Sequence, residues 1–157
     1  MHLHRYEKIW LSFGILSLIL FLTIIGINAF GQNHTPAGGM MTIDPKKVDQ
    51  TPPFDHPGVV KLDDNRYQVA IVGMAFGYKP SQIRVPAGKE IIFKVTSADV
   101  THSFTIIHTK VNMMAVPGQI NTKSYTFQKP GKYLILCNEY CGSGHQFMQT
   151  EIEVYQP

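Results

Sequence analysis

Cysteine is almost absent from this 157-residue sequence, which holds two cysteines, both in one short stretch near the C-terminus. At most one intramolecular disulfide can therefore form. Charge is also sparse, with 14 basic and 11 acidic residues, and neither a basic stripe nor an arginine cluster is present. This composition gives no support for nucleic-acid binding, and partners must be recognised by specific sites rather than by the overall charge.

Helical periodicity and internal repeats are missing from the second, longer part of the sequence. From residue 58 onward, apolar residues alternate with polar ones in runs of about five to eight residues, with Pro/Gly turns between them. The clearest runs are RYQVAIVG, KEIIFKVTS, GKYLILC and TEIEVYQ. This pattern is typical of all-β proteins, and we predict a Greek-key sandwich of roughly 100 residues over 58–157.

Residues 9–30, IWLSFGILSLILFLTIIGINAF, form an apolar run that carries no charge. At about 1.5 Å per residue, a helix of this length spans roughly 33 Å, which matches the hydrocarbon core of a bilayer. A cleaved signal peptide would have an apolar region of about 7–15 residues and a small-residue cleavage site, which NAFGQ does not resemble. We therefore predict an uncleaved transmembrane helix over 9–30. Residues 31–57 contain five prolines and three glycines and are predicted to form an extended tether.

Basic residues near the apolar run predict its orientation. Arg5 and Lys8 lie directly before the run, whereas the first positive residues after it are Lys46 and Lys47. Because basic flanks stay on the cytoplasmic side, we expect residues 1–8 in the cytoplasm and the C-terminal domain outside the cell membrane. The two cysteines would then face an oxidising compartment.

Both cysteines fall in CNEYCGSGHQFM, residues 137–148, with the spacing C-x3-C-x3-H-x2-M. A simple disulfide would leave the histidine, the methionine and two glycines unexplained. Zinc would accept two thiolates and a histidine, but it does not use a thioether and usually takes its ligands from two separated pairs. Thiolate, imidazole and a weak thioether together are the ligands of electron-transfer copper sites, so the stretch favours copper.

The number of copper ions stays open at this point. A mononuclear site would use one cysteine, the histidine and the methionine of the loop, and one distant histidine. His102 in SADVTHSFTII is the candidate, whereas His108 lies in a predicted exposed turn. That site leaves Cys137 unused. Two thiolates could instead bridge two coppers, with Gly142 and Gly144 giving the backbone the freedom to fold around them.

The loop resembles the CuA loop in subunit II of haem–copper cytochrome c oxidases. The similarity continues through DVTHSFTI and NMMAVPGQINTKSYTFQKPGKY and covers most of residues 66–155. The single predicted span is similar to the ba-type (B-family) oxidases. The resemblance implies a cupredoxin-like domain with a dinuclear CuA centre. It implies these ligands: Cys137 and Cys141 as bridges, His102 and His145 as terminal ligands, and the Met148 thioether and the Glu139 carbonyl as weak axial ligands.

The resemblance also implies where electrons enter and what the chain contacts. Phe76 and Met74, in GMAFGYKP, fall where that oxidase type has an apolar patch that accepts electrons. Tyr140 is expected to pack the loop, and Glu139 matches a side chain that helps to bind magnesium at the contact with subunit I. Many relatives have an aspartate where this chain has Met114, so a carboxylate is not expected there.

The expected function is therefore to take electrons into a respiratory oxidase. A cytochrome c or small copper protein would reduce CuA, which would pass electrons to haem in subunit I, where oxygen is reduced. Two rival functions remain. One is a membrane-tethered blue-copper carrier or copper-storage protein, and the other is the CuA part of a nitrous oxide reductase.

Overall fold

The computed structural model of the chain describes residues 4–31 and 41–157 and divides into two units, 1–35 and 36–157. The first unit contains helix α1 (Arg5–Gly26), which continues into a π-helical turn at Ile27–Gly31. The Glu7 carboxylate accepts a hydrogen bond from the His4 backbone N–H (2.7 Å) at the start of the helix. The segment Arg5–Phe30 is apolar enough and long enough to cross a membrane.

The second unit is a sandwich of two β-sheets, which confirms the predicted cupredoxin-like, all-β fold. The strands are β1 (Met41–Thr42), β2 (Val59–Lys61), β3 (Arg66–Met74), β4 (Gly77–Lys79), β5 (Ile83–Pro86), β6 (Glu90–Ser97), β7 (His102–Ile106), β8 (Asn112–Ala115), β9 (Gln119–Thr126), β10 (Gly131–Leu136) and β11 (Gln149–Tyr155). One sheet has the order β1-β9-β6-β3-β2, with β4 also paired to β3, and the other has the order β5-β11-β10-β7-β8. The pairs β3–β6 and β5–β11 are parallel, and the other strand pairs are antiparallel.

The core between the sheets follows the period-2 alternation of the sequence. On β6, Ile91, Phe93 and Val95 are fully buried, and on β11, Ile152 and Val154 point into the same core. Because successive side chains of a strand point to opposite faces, this alternation fixes which face of each sheet is inside. The core cluster also includes both cysteines and the loop methionine. The predicted ligand loop is therefore built directly onto one end of the hydrophobic core.

The segment 41–57 is packed on the sandwich and is not an extended tether. β1 pairs with β9, and a short 3₁₀ helix follows at Val48–Gln50. A second buried cluster joins this segment to the outer face of the six-stranded sheet, and its members are Ile43, Val48, Phe54, Ala70, Val72 and Ile120.

The physical reason lies in β3, whose residues 69–73 are buried on both faces. Val69 and Ile71 face the main core, so Ala70 and Val72 would be exposed to water without a cover. The prediction of a tether is therefore wrong for residues 41–57. Its remaining part, residues 32–40, lies outside the described residues.

Candidate metal centre

The ligand loop connects two neighbouring antiparallel strands, β10 and β11. Leu136 and Gln149 are partners in the register of this pair, so the loop residues next to them, Cys137 and Met148, are brought together. The Cys137 backbone N–H donates a hydrogen bond to the Met148 carbonyl (3.2 Å). A 3₁₀ turn at His145–Phe147 completes the loop. Strand pairing thus closes the loop and holds its first and last predicted ligands side by side.

His102 reaches the loop from a third strand. It is the first residue of β7, which pairs with β10 through Ile106 and Ile135. Its imidazole is fully buried, with Nε2 2.7 Å from Asp99 Oδ1. Within the described residues, His102 Nδ1 is a buried nitrogen without a hydrogen-bond partner. An Nε2–H that donates to the carboxylate leaves Nδ1 as a free acceptor, which is the state that a metal requires.

The sulfur atoms of the loop converge on the same point. The Cys137 and Cys141 Sγ atoms are 3.9 Å apart, and both residues are free cysteines. Cys141 Sγ lies 3.5 Å from His145 Nδ1 and 3.6 Å from Met148 Sδ. The ligand atoms of His102, Cys137 and Cys141 all lie within 4.8 Å of one another.

The Glu139 backbone carbonyl lies 3.2 Å from Cys137 Sγ. The structure therefore brings together all six predicted ligand residues. Met148 is buried against Cys141. Zinc has no use for this thioether, whereas copper accepts it as a weak ligand, so the donor set fits copper.

The site raises the pKa of one of its thiols, that of Cys141. Burial, and to a smaller extent the neighbouring Cys137, raises the pKa of Cys141 to about 11. In the metal-free chain this thiol is protonated at neutral pH, so metal binding must displace its proton. Burial, followed by Cys137, also raises the pKa of Tyr78 above its ordinary value, and the Tyr78 hydroxyl donates to the Ser103 carbonyl (2.5 Å). A neutral phenol therefore borders the two sulfurs.

Asp99 is a charged residue of the site that the sequence did not predict. Partial burial would raise the pKa of its carboxyl, but hydrogen bonds from His102 and from the backbone N–H groups of Ala75 and Val100 outweigh burial and hold the pKa below its ordinary value. A signal for it was present, because the carboxylate stands three residues before His102 in DVTH. Ligating histidines usually donate their second N–H to such a partner.

Phe76 lies against the ligand loop, and two loop glycines leave room for it. A Cβ atom at Gly144 would lie 2.5 Å from Phe76 Cδ2, and one at Gly142 would lie 3.1 Å from Phe76 Cε1. Gly142 also has φ +128°, which side chains rarely adopt. The ring itself remains 40% exposed. These glycines therefore provide space for an aromatic ring as well as backbone freedom.

We expect Gly144→Ala to push the Phe76 ring off the loop. The new Cβ would lie 2.5 Å from Phe76 Cδ2, so the ring must move to relieve the overlap. Phe76 fluorine NMR, with the ring fluorinated, should show a changed and broadened signal. In the double variant Gly144→Ala/Phe76→Ala the overlapping ring is absent, so the loop should be as well ordered as in Phe76→Ala alone. Equal ring signals in the wild type and Gly144→Ala would contradict this packing.

Met74, Tyr140 and His108 take other places in the domain. Met74 ends β3 and lines a cavity with Val48 and Phe54, on the side of the 41–57 segment. The Tyr140 ring is 80% exposed and packs obliquely against the His145 ring at 5.9 Å. His108 is exposed in a turn, as predicted, and does not join the cluster.

The chain resembles known proteins over most of its length. Residues 70–155 match the family described as cytochrome c oxidase subunit II, periplasmic domain. The chain is 44% identical over 155 residues to cytochrome c oxidase subunit 2 of Thermus thermophilus, covering 95% of this chain and 91% of that protein. Among solved structures, a chain of a haem–copper terminal oxidase dimer superposes with a TM-score of 0.80 at 30% identity, covering 96% of this chain and 100% of that one. The periplasmic domain of subunit II from the cytochrome oxidase of Bradyrhizobium japonicum has a TM-score of 0.54 at 25% identity, covering 62% and 88%.

Proposed function

Because the chain belongs to the cytochrome c oxidase subunit II family, we propose that its buried cluster holds the dinuclear copper centre CuA. Through this centre the chain takes electrons into a haem–copper oxidase. The observation that carries the proposal is the convergence of two free thiols with a histidine whose Nδ1 is buried and without a partner. When bound, the copper pair supplies reversible one-electron chemistry.

Each ligand residue has a proposed role that follows from its place in the loop. Cys137 and Cys141 would supply the thiolates shared by the two coppers, and His102 and His145 would each supply an imidazole to one of them. The Met148 thioether, which lies 3.6 Å from Cys141 Sγ, would be the weak ligand on the Cys141 side. The Glu139 carbonyl plays the same part on the Cys137 side, at 3.2 Å.

This near-symmetric arrangement favours two coppers over one. A mononuclear blue-copper carrier, the rival function, would need only one of the cysteines. Both cysteines are buried to the same extent, 7% and 8% exposed, and each has its own weak donor. A ligand set held on paired strands changes little in geometry when the charge changes, which keeps the cost of electron transfer low.

We propose that subunit I of the oxidase receives the electrons and that a cytochrome c or small copper protein supplies them. The exposed face of Phe76 next to the loop is the proposed point of electron arrival, with Met74 close to it in the sequence. Residues 137–148 of the loop carry one carboxylate, that of Glu139, so attraction by opposite charge should be weak.

We therefore expect reduction of the assembled oxidase by cytochrome c to lose little rate between low and moderate salt. Phe76→Ala should slow that reduction, because the apolar contact surface is lost, while leaving copper content unchanged. Stopped-flow reduction, followed at the copper absorption band, measures the salt dependence and the effect of Phe76→Ala on the rate. Leu62→Ala, which changes an exposed apolar residue on another turn, is the control. A steep fall in rate with salt would show that the docking surface is electrostatic.

Glu139 is also the proposed contact with magnesium at the boundary with subunit I. Its side chain is exposed and borders a cavity lined by Ser103, Met114 and Asn138. In the assembled oxidase, Mn²⁺ taken up in place of Mg²⁺ should give an EPR signal that Glu139→Gln removes. Retention of that signal in Glu139→Gln would exclude Glu139 as a ligand.

The proposed orientation places the N-terminus in the cytoplasm and the sandwich outside the cell membrane. It is supported by Arg5 and Lys8 at the start of the helix. Protease added to intact spheroplasts should remove the sandwich and leave an N-terminal tag protected. Protection of the sandwich, or a mature protein that lacks the first thirty residues, would contradict this orientation.

A further inference from the structure

We propose that Asp99 is a positioning residue that acts on two partners at once. One carboxylate oxygen fixes the His102 imidazole so that Nδ1 is presented to copper, and the other holds the Phe76 segment against the ligand loop. This inference rests on the proposed function, because it takes His102 as a copper ligand.

The first contact sets the tautomer and the direction of the imidazole. Asp99 Oδ1 lies 2.7 Å from His102 Nε2, so this nitrogen carries the proton and Nδ1 keeps a lone pair. The ring has little freedom to turn, because a Cβ at Gly73 would already lie 3.1 Å from His102 Cδ2 and 3.4 Å from the Ala115 side chain. A carboxylate on one nitrogen and a closely packed ring leave Nδ1 pointing in one direction.

The second contact reaches the segment that carries Phe76. Asp99 Oδ2 accepts a hydrogen bond from the Ala75 backbone N–H (2.7 Å). Ala75 immediately precedes Phe76, whose ring occupies the space over Gly142 and Gly144. A single carboxylate therefore connects a buried copper ligand with the half-exposed ring on the outside of the loop.

Asp99 is itself held in place, although its side chain is 36% exposed. Its Oδ1 also accepts a hydrogen bond from the Val100 backbone N–H (2.6 Å). The buried Ser97 hydroxyl donates to the Val100 carbonyl and accepts a hydrogen bond from the Asp99 backbone N–H (3.3 Å), which holds the same turn. Three N–H donors, from His102, Ala75 and Val100, thus converge on one carboxylate, whereas an ordinary surface carboxylate is solvated by water. Hydrogen bonds to an ionised acceptor are the stronger kind, so the arrangement is rigid enough to orient its partners.

Loss of Asp99 should therefore act on the metal and on the surface ring together. A carboxylate behind an imidazole raises the basicity of the metal-bound nitrogen, and removal of such partners typically weakens metal binding about 10- to 100-fold. We expect a fall of this size in the copper affinity of Asp99→Ala, together with a rise in reduction potential. Reduction by cytochrome c should slow, as we also expect for Phe76→Ala.

The test uses the full-length chain in detergent with three variants. Asp99→Ala removes both acceptor oxygens, and Asp99→Asn keeps one acceptor and replaces the other with a donor. Asp64→Asn is the matched control, because this exposed carboxylate pairs with Lys61 at the other end of β3. The first readout is histidine ¹⁵N NMR of the metal-free chain, which reports the His102 tautomer and the solvent exchange of its Nε2 proton. The second is copper affinity by competition with a chelator, and the third is the ring signal of fluorinated Phe76.

The expected result is a slowly exchanging Nε2 proton in the wild type and in Asp64→Asn, and fast exchange with a mixed tautomer in Asp99→Ala. Asp99→Asn should lose one of the two contacts, so that either the His102 proton or the Phe76 ring is released. Unchanged His102 exchange and an unchanged Phe76 ring in both Asp99 variants would overturn the proposal. The tautomer is read without metal, so a wild-type chain that binds one copper would count against the dinuclear centre without deciding the role of Asp99.

Discussion

Replacing Cys137 with serine should leave a chain that binds at most one copper. Serine is nearly isosteric but offers a hydroxyl, which is a poor ligand for copper, so the second bridge is lost. The remaining set of Cys141, His145, Met148 and His102 is that of a mononuclear blue-copper site. Copper analysis should fall from two ions per chain to one, and the visible spectrum should change to that of a blue-copper protein.

Met148→Leu is the matched control for this experiment. The thioether is buried beside Cys141, and leucine replaces it with a similar volume at a cost of less than about 1.5 kcal/mol. Since a weak axial ligand tunes a copper site rather than holding it, the variant should keep two coppers and show a shifted potential. Two coppers and an unchanged spectrum in Cys137→Ser would contradict the bridging role of that cysteine.

A chain that begins at residue 59 should be much less stable than one that begins at residue 36. The shorter chain lacks Ile43, Val48 and Phe54, which cover the outer face of β3 and β9. Each fully buried side chain of this kind contributes about 1.5–3 kcal/mol, and the whole stability of a domain is about 5–15 kcal/mol. Removing the three together exposes Ala70 and Val72 and should unfold the sandwich or cause it to aggregate.

Thermal and urea unfolding of the two metal-free chains measures the difference. Within the longer chain, Phe54→Ala should lower the free energy of unfolding by about 3 kcal/mol, because a large buried ring leaves a cavity. The exposed Leu62→Ala should change it by less than about 0.5 kcal/mol. Equal midpoints for the chains that begin at 36 and 59 would show that segment 41–57 adds nothing to the fold.

The sandwich core was predictable because apolar and polar residues alternate within single strands. Ile91, Phe93 and Val95 are spaced by two, and the structure buries all three in the core. The segment 41–57 was not predictable in this way. Its buried residues have no regular spacing, and its prolines and glycines match an extended linker. The available signal was in β3, which has apolar residues on both faces and so must be covered on both. The sequence of residues 41–57 does not itself show that it is the covering segment.

The cluster of candidate ligands was predictable from the sequence, and the residues that pack around it were not. Cysteine, histidine and methionine in one loop carry chemistry that few other patterns share, and the need of a copper site for a distant histidine singled out His102. The contact between Phe76 and Gly144 joins residues 68 positions apart, which single-sequence reasoning does not connect. Asp99 was missed because a lone aspartate in a turn is common. Its place three residues before His102 was a local signal, but its contact with Ala75, 24 residues away, follows only from the fold.

The most direct test of a dinuclear centre is the EPR spectrum of the copper-loaded, partly oxidised full-length chain, measured with its copper content. Sharing of one unpaired electron by two equivalent copper nuclei gives up to seven hyperfine lines, whereas a single copper gives four. We predict two coppers per chain and the seven-line pattern. One copper per chain with four lines would contradict the dinuclear centre and leave a membrane-tethered blue-copper carrier in its place.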